Sequence, residues 1–308
     1  MALNKYLEQL IGGDNEALSS KALARLSGLD SGATKELAET WPRIDAERRR
    51  EIVSRAAQLS EDSVEFDFSD LFKIAIKDSD SNVRQLGIQG LWEYEAPDLI
   101  EPLVTMMASD DDPGVRSTAA LALGRFIVLG EFEELKPGDL ARVENALRET
   151  YESADEDIEV RARALESLGA RSEDYVQEMI ERAHGSGNYR MRLSAIHAMG
   201  RNCDPRWLPA LIEEMADDEA EVRFEAVGAA GMVADQSAIN AVADLLEDDD
   251  REVQMAAIDA LGHIGGRRVK QQLRPLLNHE DEGLRGAAEA ALDEADFDLD
   301  PLSAEYRA

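Results

Sequence analysis

The sequence predicts an all-α solenoid: a right-handed α-α superhelix of about seven regular repeats behind an irregular N-terminal cap. Two observations carry this expectation. A short pattern opens at Val83, Val115, Val160, Met191, Val222, Val253 and Leu284, at intervals of 32, 45, 31, 31, 31 and 31 residues. In it an aliphatic residue is followed by Arg (Gln254 once), then by small residues and another aliphatic, often ending in Gly. A fixed period in this range marks stacked supersecondary units, none of which can bury its apolar face alone. The composition agrees: 44% hydrophobic but only 5% aromatic, with much Ala and Leu, which suits closely packed helices.

Residues 1–65 are loosely patterned and read as a divergent helical cap of two repeats. DNEALSSKALARLSG places Leu18, Ala22 and Leu26 at helical spacing, and AERRREIVSRAAQLS is amphipathic. The solenoid proper spans 66–295, in units near 66–96, 97–130, 140–170, 172–201, 204–235, 236–266 and 267–295. In DDEAEVRFEAVGAAG, acids cap a helix whose Val222, Ala226, Val227 and Ala230 share one face, and Gly231 ends or bends it. Shorter amphipathic segments lie between such helices: DPRWLPALIEEMAD, DQSAINAVADLLED and GRRVKQQLRPLLNH. The repeat is therefore helix A, tight turn, helix B. The long interval contains IVLGEFEELKPGDL, where Gly130, Pro137 and Gly138 predict an extended loop or irregular helix end at 130–139. Such an insertion serves as a departure from the regular binding surface or as a tolerated surface loop. Residues 296–308 read as an acidic C-terminal tail.

Sixty-five acids against 33 bases give a net charge of −32. That excess repels nucleic acid and anionic lipid, and neither is expected as a partner. It permits a basic protein partner, but a solvated acidic surface is the simpler explanation, and a salt-adapted source would give a similar balance. The single cysteine, Cys203, excludes an intramolecular disulfide and fits a reducing compartment. The N-terminus lacks a signal-peptide pattern, and the most apolar stretch, STAALALGRFIVLG, is interrupted by Arg125. A cytoplasmic location is the default expectation.

The recurrent D-x-x-V-R-x-x-A-x-x-A-L-G, as in DPGVRSTAALALG, resembles HEAT repeats of the short kind found in phycobilin-lyase-like proteins. The resemblance covers roughly 66–295. It implies that the B helices line a concave side. It also implies that the Arg after the opening aliphatic pairs with an Asp in a neighbouring turn. Arg84, Arg116, Arg161, Arg192, Arg223 and Arg285 match that position, and their recurrence favours a structural ladder over anion binding. Some proteins resembling this fold are enzymes. Deoxyhypusine hydroxylase uses several His-Glu pairs to hold iron, and this chain has one such dipeptide, His279-Glu280. HEAT-like DNA glycosylases need a basic groove; here acids alternate with apolar residues, and ERRR at 47–50 and Arg267-Arg268 read as solvated faces. Cys203 reads as a small buried or incidental thiol rather than a nucleophile. No catalytic residue, cofactor or metal ligand is expected.

Numbering helix B from its opening aliphatic, positions one, five, eight and nine face the core, while three and seven face the opposite, concave side. Position three then carries Leu193, Phe224 and Met255 in consecutive repeats, beside Glu166, His197, Glu225 and Asp259. An apolar strip bordered by acids suits a partner segment with apolar anchors and basic flanks. The alternative is that curvature packs these side chains between B helices. Trp92 stands where Gly usually ends helix B, at the groove edge or packed. The expected function is a non-enzymatic protein-interaction scaffold or adaptor using the surface around 172–266. A phycobilin-lyase-like subunit acting on a protein-bound tetrapyrrole and a purely structural spacer are the alternatives. The sequence leaves the oligomeric state open.

Overall fold

A computed structural model describes residues 20–63 and 65–297, and every regular element among them is helical. Leu18 and the tail beyond 297 lie outside the described residues. The chain divides into two compact units, Met1–Ala164 and Leu165–Ala308. In the first, α1 (Ser20–Leu23), α2 (Ser31–Thr40) and α3 (Ala46–Asp62) precede the helix pairs α4 (Ser69–Ala75)/α5 (Ser81–Gly90) and α6 (Ile100–Ser109)/α7 (Pro113–Glu131). Helix α8 (Pro137–Glu152) follows, then α9 (Ile158–Leu168), whose last residues belong to the second unit. The second unit continues with the pairs α10 (Asp174–His184)/α11 (Tyr189–Asn202), α12 (Leu208–Glu214)/α13 (Ala220–Val233), α14 (Ile239–Asp244)/α15 (Arg251–Ile264) and α16 (Arg267–Leu273)/α17 (Glu282–Phe297). Each A helix packs on its own B helix. Consecutive B helices pack on one another, α3–α5–α7 in the first unit and α11–α13–α15–α17 in the second.

At four B helices the residue before the first turn explains where the helix starts, whereas Glu219, which the sequence pattern places as the cap of α13, makes no such side-chain bond. Asp80, Asp112, Asn188 and Asp250 accept the backbone N–H three residues on, at 3.1, 3.1, 3.0 and 3.3 Å. Those N–H groups belong to Val83, Val115, Met191 and Val253, the opening aliphatics of the sequence pattern. One side chain thus satisfies an orphan donor and sets the rotation that buries the aliphatic. Val83, Val115, Val160, Val222 and Val253 are all fully buried.

In the second unit, small residues let neighbouring B helices approach to backbone contact. A Cβ added to Gly169, Gly200 or Gly231 would lie 2.9, 2.7 or 2.8 Å from the Cα of Ala198, Ala229 or Ala260 respectively. The Gly–Ala alternation seen in the sequence is therefore an interface, and nothing bulkier than hydrogen fits at the glycine. Gly228 lies in the same helix as Gly231, yet a Cβ there meets nothing within 4 Å.

The Arg two turns behind each of these contacts sits at the junction of successive repeats. Arg84 grips Asp110 with two hydrogen bonds (2.8 and 2.7 Å), and Arg223 grips Asp248 in the same way (2.7 and 2.8 Å). The Nη1 of each donates to a carbonyl of its own turn, Asp78 and Asp217 respectively, at 2.8 Å. The gripped aspartate also accepts the backbone N–H of the next helix cap, Asp112 on Asp110 (3.0 Å) and Asp250 on Asp248 (2.8 Å). One carboxylate thereby ties an incoming Arg to the start of its own helix. Arg116 makes the equivalent contact with Glu156 across the longer interval (2.8 Å), and Arg192 reaches both Glu214 and Asp217. Arg161 instead donates to the Tyr151 carbonyl (2.9 Å), and Arg285 to that of His279 (2.6 Å). Gln254 keeps the carbonyl contact, to Asp248 at 2.7 Å, where the carboxylate position of the following turn is His279. Both partners of that rung have changed together.

Sequence reading missed the first rung. Arg49 lies four residues beyond its cap Asp45, the spacing of the other ladder residues, and donates to buried Asp78 at 2.9 Å. Arg48 occupies the place of the opening aliphatic, so the pattern is broken there. Trp41 Nε1 donates to the same Asp78 carboxylate at 2.5 Å.

Of the two expectations for 130–139, the extended loop is not formed and a helix end followed by a short connection is. Helix α7 continues through Gly130 to Glu131 and α8 begins at Pro137, leaving only 132–136 between helices. Phe126 and Ile127 are fully buried and extend the apolar face by another turn, so the extra residues lengthen helices instead of forming a loop. Gly130 is retained because the Leu140 side chain lies against it.

Three predictions follow from this stacking. Gly231→Ala lowers stability in urea unfolding by about 1–3 kcal/mol, while Gly228→Ala leaves it unchanged or raises it by up to about 1 kcal/mol. Arg223→Met costs about 2 kcal/mol at pH 7. The Arg223 hydrogen bonds, then the Asp250 backbone N–H, hold the Asp248 carboxyl below its ordinary 3.8. The unfolded chain therefore binds that proton first as pH falls, and the contribution is complete above about pH 3.8 and lost as pH drops through the lower folded value. The gap between natural chain and variant should accordingly shrink below that pH in parallel urea titrations. Finally, Gln254→Arg combined with His279→Asp should be more stable than the two single changes sum to, by about 1 kcal/mol in a double-mutant cycle.

Candidate functional site

Helices α11, α13 and α15 present the residues singled out at positions three and seven. Leu193 and Met255 are half-buried between neighbours, while Phe224, on the helix between them, remains 43% exposed. The strip is therefore graded, with one protruding aromatic between two half-covered aliphatics. Helical spacing continues it. From Phe224, steps of four residues lead to Gly228 and then to Met232, which is 48% exposed. With open space over Gly228, two apolar walls flank a bare stretch of helix. Met232 was not among the sequence candidates because it falls past the end of the repeated pattern; the i, i+4, i+8 spacing from Phe224 is the signal that finds it.

The polar candidates divide. His197 Nδ1 lies 2.7 Å from Glu225 Oε1, both side chains about 30% exposed, so these two form a pair beside Phe224. Asp259 is 72% exposed and lies 3.7 Å from His263 on the same helix. Glu166 differs. It is buried, and Arg190 Nη2 (2.9 Å) and the Ser194 hydroxyl (2.7 Å) donate to it. Its carboxylate binds helix α11 to α9 and is not offered to a partner, because a buried charge is retained only where such donors satisfy it. Arg201 lies one turn beyond His197; its Nε is buried without a hydrogen-bond partner, and burial draws its pKa down. The face thus offers apolar knobs, one exposed acid, Asp259, and the half-buried His197–Glu225 pair.

Cys203 is exposed, not buried, and takes a left-handed conformation (φ 54°) that ends α11. Among the described residues no group of three or more His, Cys, Asp or Glu is arranged to hold a metal ion. No described helix is long and apolar enough to cross a membrane.

Comparison with known proteins places this geometry. No match was found among curated proteins. The fold is similar to the complex of CpcE and CpcF of phycocyanin lyase from Nostoc sp. PCC7120, at 14% identity and a TM-score of 0.54, covering 92% of this chain and 97% of that one. It is also similar to yeast importin-β (Kap95p), at 15% identity and a TM-score of 0.53. That match covers 95% of this chain but only 46% of the importin, so the chain spans less than half of that protein's length. At such identities the likeness is one of fold. The family model described as HEAT repeats matches residues 68–153, 144–227 and 208–293, nearly the whole regular part of the sequence. The periodic arginines, the Gly–Ala contacts and these matches together make the chain a member of the HEAT-repeat family.

Proposed function

We propose that the protein is a non-enzymatic interaction scaffold or adaptor whose α11–α13–α15 face holds a segment of a partner protein. The observation that carries this reading is the pair of exposed apolar side chains, Phe224 and Met232, flanking the open Gly228 on one helix. Phe224 is not among the groups that meet the glycines of the stack, and Met232 reaches them only at Gly200, where its Sδ would lie 3.1 Å from an added Cβ. Glu225 and the exposed Asp259 border them, within a chain of net charge −32. The partner segment would insert an aliphatic or aromatic anchor over Gly228 and carry lysine or arginine on its flanks. The acids speed encounter, and added salt weakens it.

The likeness to CpcE and CpcF keeps a phycobilin-lyase-like role on a protein-bound tetrapyrrole as the alternative. Visible absorbance co-purifying with the protein would favour it. The test of the scaffold reading compares the natural chain with Phe224→Asp/Met232→Asp, using Phe132→Asp, a more exposed aromatic in the other unit, as the control for added charge. The variants should keep the natural helical content. Two probes are used: native lysate, and a synthetic helical peptide with leucines at i and i+4 flanked by lysines. The double variant should bind at least about tenfold more weakly and the control unchanged. Equal binding by the double variant would place the site elsewhere, and absence of any binding would favour a structural spacer.

A further inference from the structure

A second surface, in the unit ending at Ala164, holds the most exposed tryptophan of the described residues. Trp92 is 74% exposed, whereas Trp41 and Trp207 are 3% and 5% exposed. It lines a cleft of about 360 Å³ between the end of α3, the 66–69 segment and the turn that follows α5. The indole is displayed on a fixed backbone. The Arg125 guanidinium, on α7, donates to the carbonyls of Leu91, Trp92 and Tyr94, the last at 3.3 Å. Burial pulls the pKa of Arg125 down to about 10, so it remains charged at neutral pH and holds the turn. An exposed aromatic on a pinned turn loses little freedom when something settles against it.

The chemistry of the cleft selects what that is. Its lining includes three carboxylates, Glu61, Asp67 and Glu93, and no basic side chain, together with the aromatic rings of Phe66, Trp92 and Tyr94. The same turn already shows how such a surface treats a cation. The Lys73 ammonium donates to the Tyr94 hydroxyl and to Asp98 (3.0 Å), with its nitrogen 4.0 Å from the centre of the Tyr94 ring. That ring and carboxylate are thus occupied internally, while Trp92, Glu61 and Glu93 stand exposed. Aromatic faces attract cations through their negative π-surface, most strongly at Trp, and nearby carboxylates reinforce the attraction.

From this geometry we infer that the Trp92 cleft binds a cationic side chain, the guanidinium of an arginine in a partner protein, stacked on the indole and paired with Glu61 or Glu93. This goes beyond the scaffold reading, which rests on another helix face in the other unit, and the two can fail separately.

The test uses two short blocked peptides, Ac-Gly-Arg-Gly-NH2 and its citrulline counterpart, which keeps the shape but not the charge. Binding is followed by the indole ¹⁵N–¹H resonance of Trp92, assigned by its loss in Trp92→Ala; an indole so exposed can be removed with little change in thermal stability. The arginine peptide should shift that resonance saturably in the millimolar range. The citrulline peptide should bind at least about fivefold more weakly, and Glu61→Gln/Glu93→Gln should weaken the arginine peptide by a similar factor. Equal shifts from both peptides would show an apolar surface without cation selectivity and overturn the proposal. So would a linear, non-saturating response, or an unchanged affinity in the Glu61→Gln/Glu93→Gln variant.

Discussion

Consecutive B helices in the second unit approach until the Cα of an alanine on one lies 2.7 to 2.9 Å from where a Cβ would stand on a glycine of the other. Side chains cannot fill so narrow a gap, and the spacing is set by backbone atoms. Specificity must then come from the helix ends. The Arg–carboxylate bonds supply it, because a bidentate guanidinium fixes both distance and angle between one helix and the start of the next. Asp110 and Asp248 also accept the N–H of the following cap residue, so a lateral shift of one helix disturbs the start of its neighbour. Close approach and junction are two parts of one constraint.

That constraint decides which side chains are free to recognise anything. Core positions are taken by Val, Ile, Leu and Ala, and contact positions by Ala and Gly. Many acids are consumed as well. Asp110 and Asp248 hold arginines, Asp80 and Asp112 cap helices, and Glu166 is satisfied within the core. Only residues outside these duties are available as recognition elements, and Phe224, Met232 and Trp92 are three of the large apolar side chains left exposed among the described residues. The arrangement resembles other helical-repeat proteins in principle: the stack supplies rigidity, and a few side chains exempt from it supply selectivity.

Much of the molecule is legible in residue order. The 31-residue spacing, the cap-to-aliphatic interval and the Arg after each aliphatic follow from a unit that repeats the same local physics, so each copy reinforces the reading of the others. Legibility fails where one copy departs. Arg48 in place of an aliphatic hid the rung at Arg49, and the glycines of 130–139 suggested a loop where buried Phe126 and Ile127 prolong a helix. Glu166 shares its register position with His197 and Asp259 but not its surroundings, since Arg190 and Ser194 reach it from α11.

The sequence by itself determined the all-α repeat architecture, the rotation of the regular B helices and most of the ladder arginines, Arg49 excepted, because these depend on spacing along one chain. Only the tertiary structure decided which carboxylate each arginine meets, which acids are withdrawn from the surface and which apolar residues remain uncovered. Those outcomes depend on neighbours about 25 to 40 residues away, and a periodic pattern specifies that neighbours exist without specifying what a given side chain finds there.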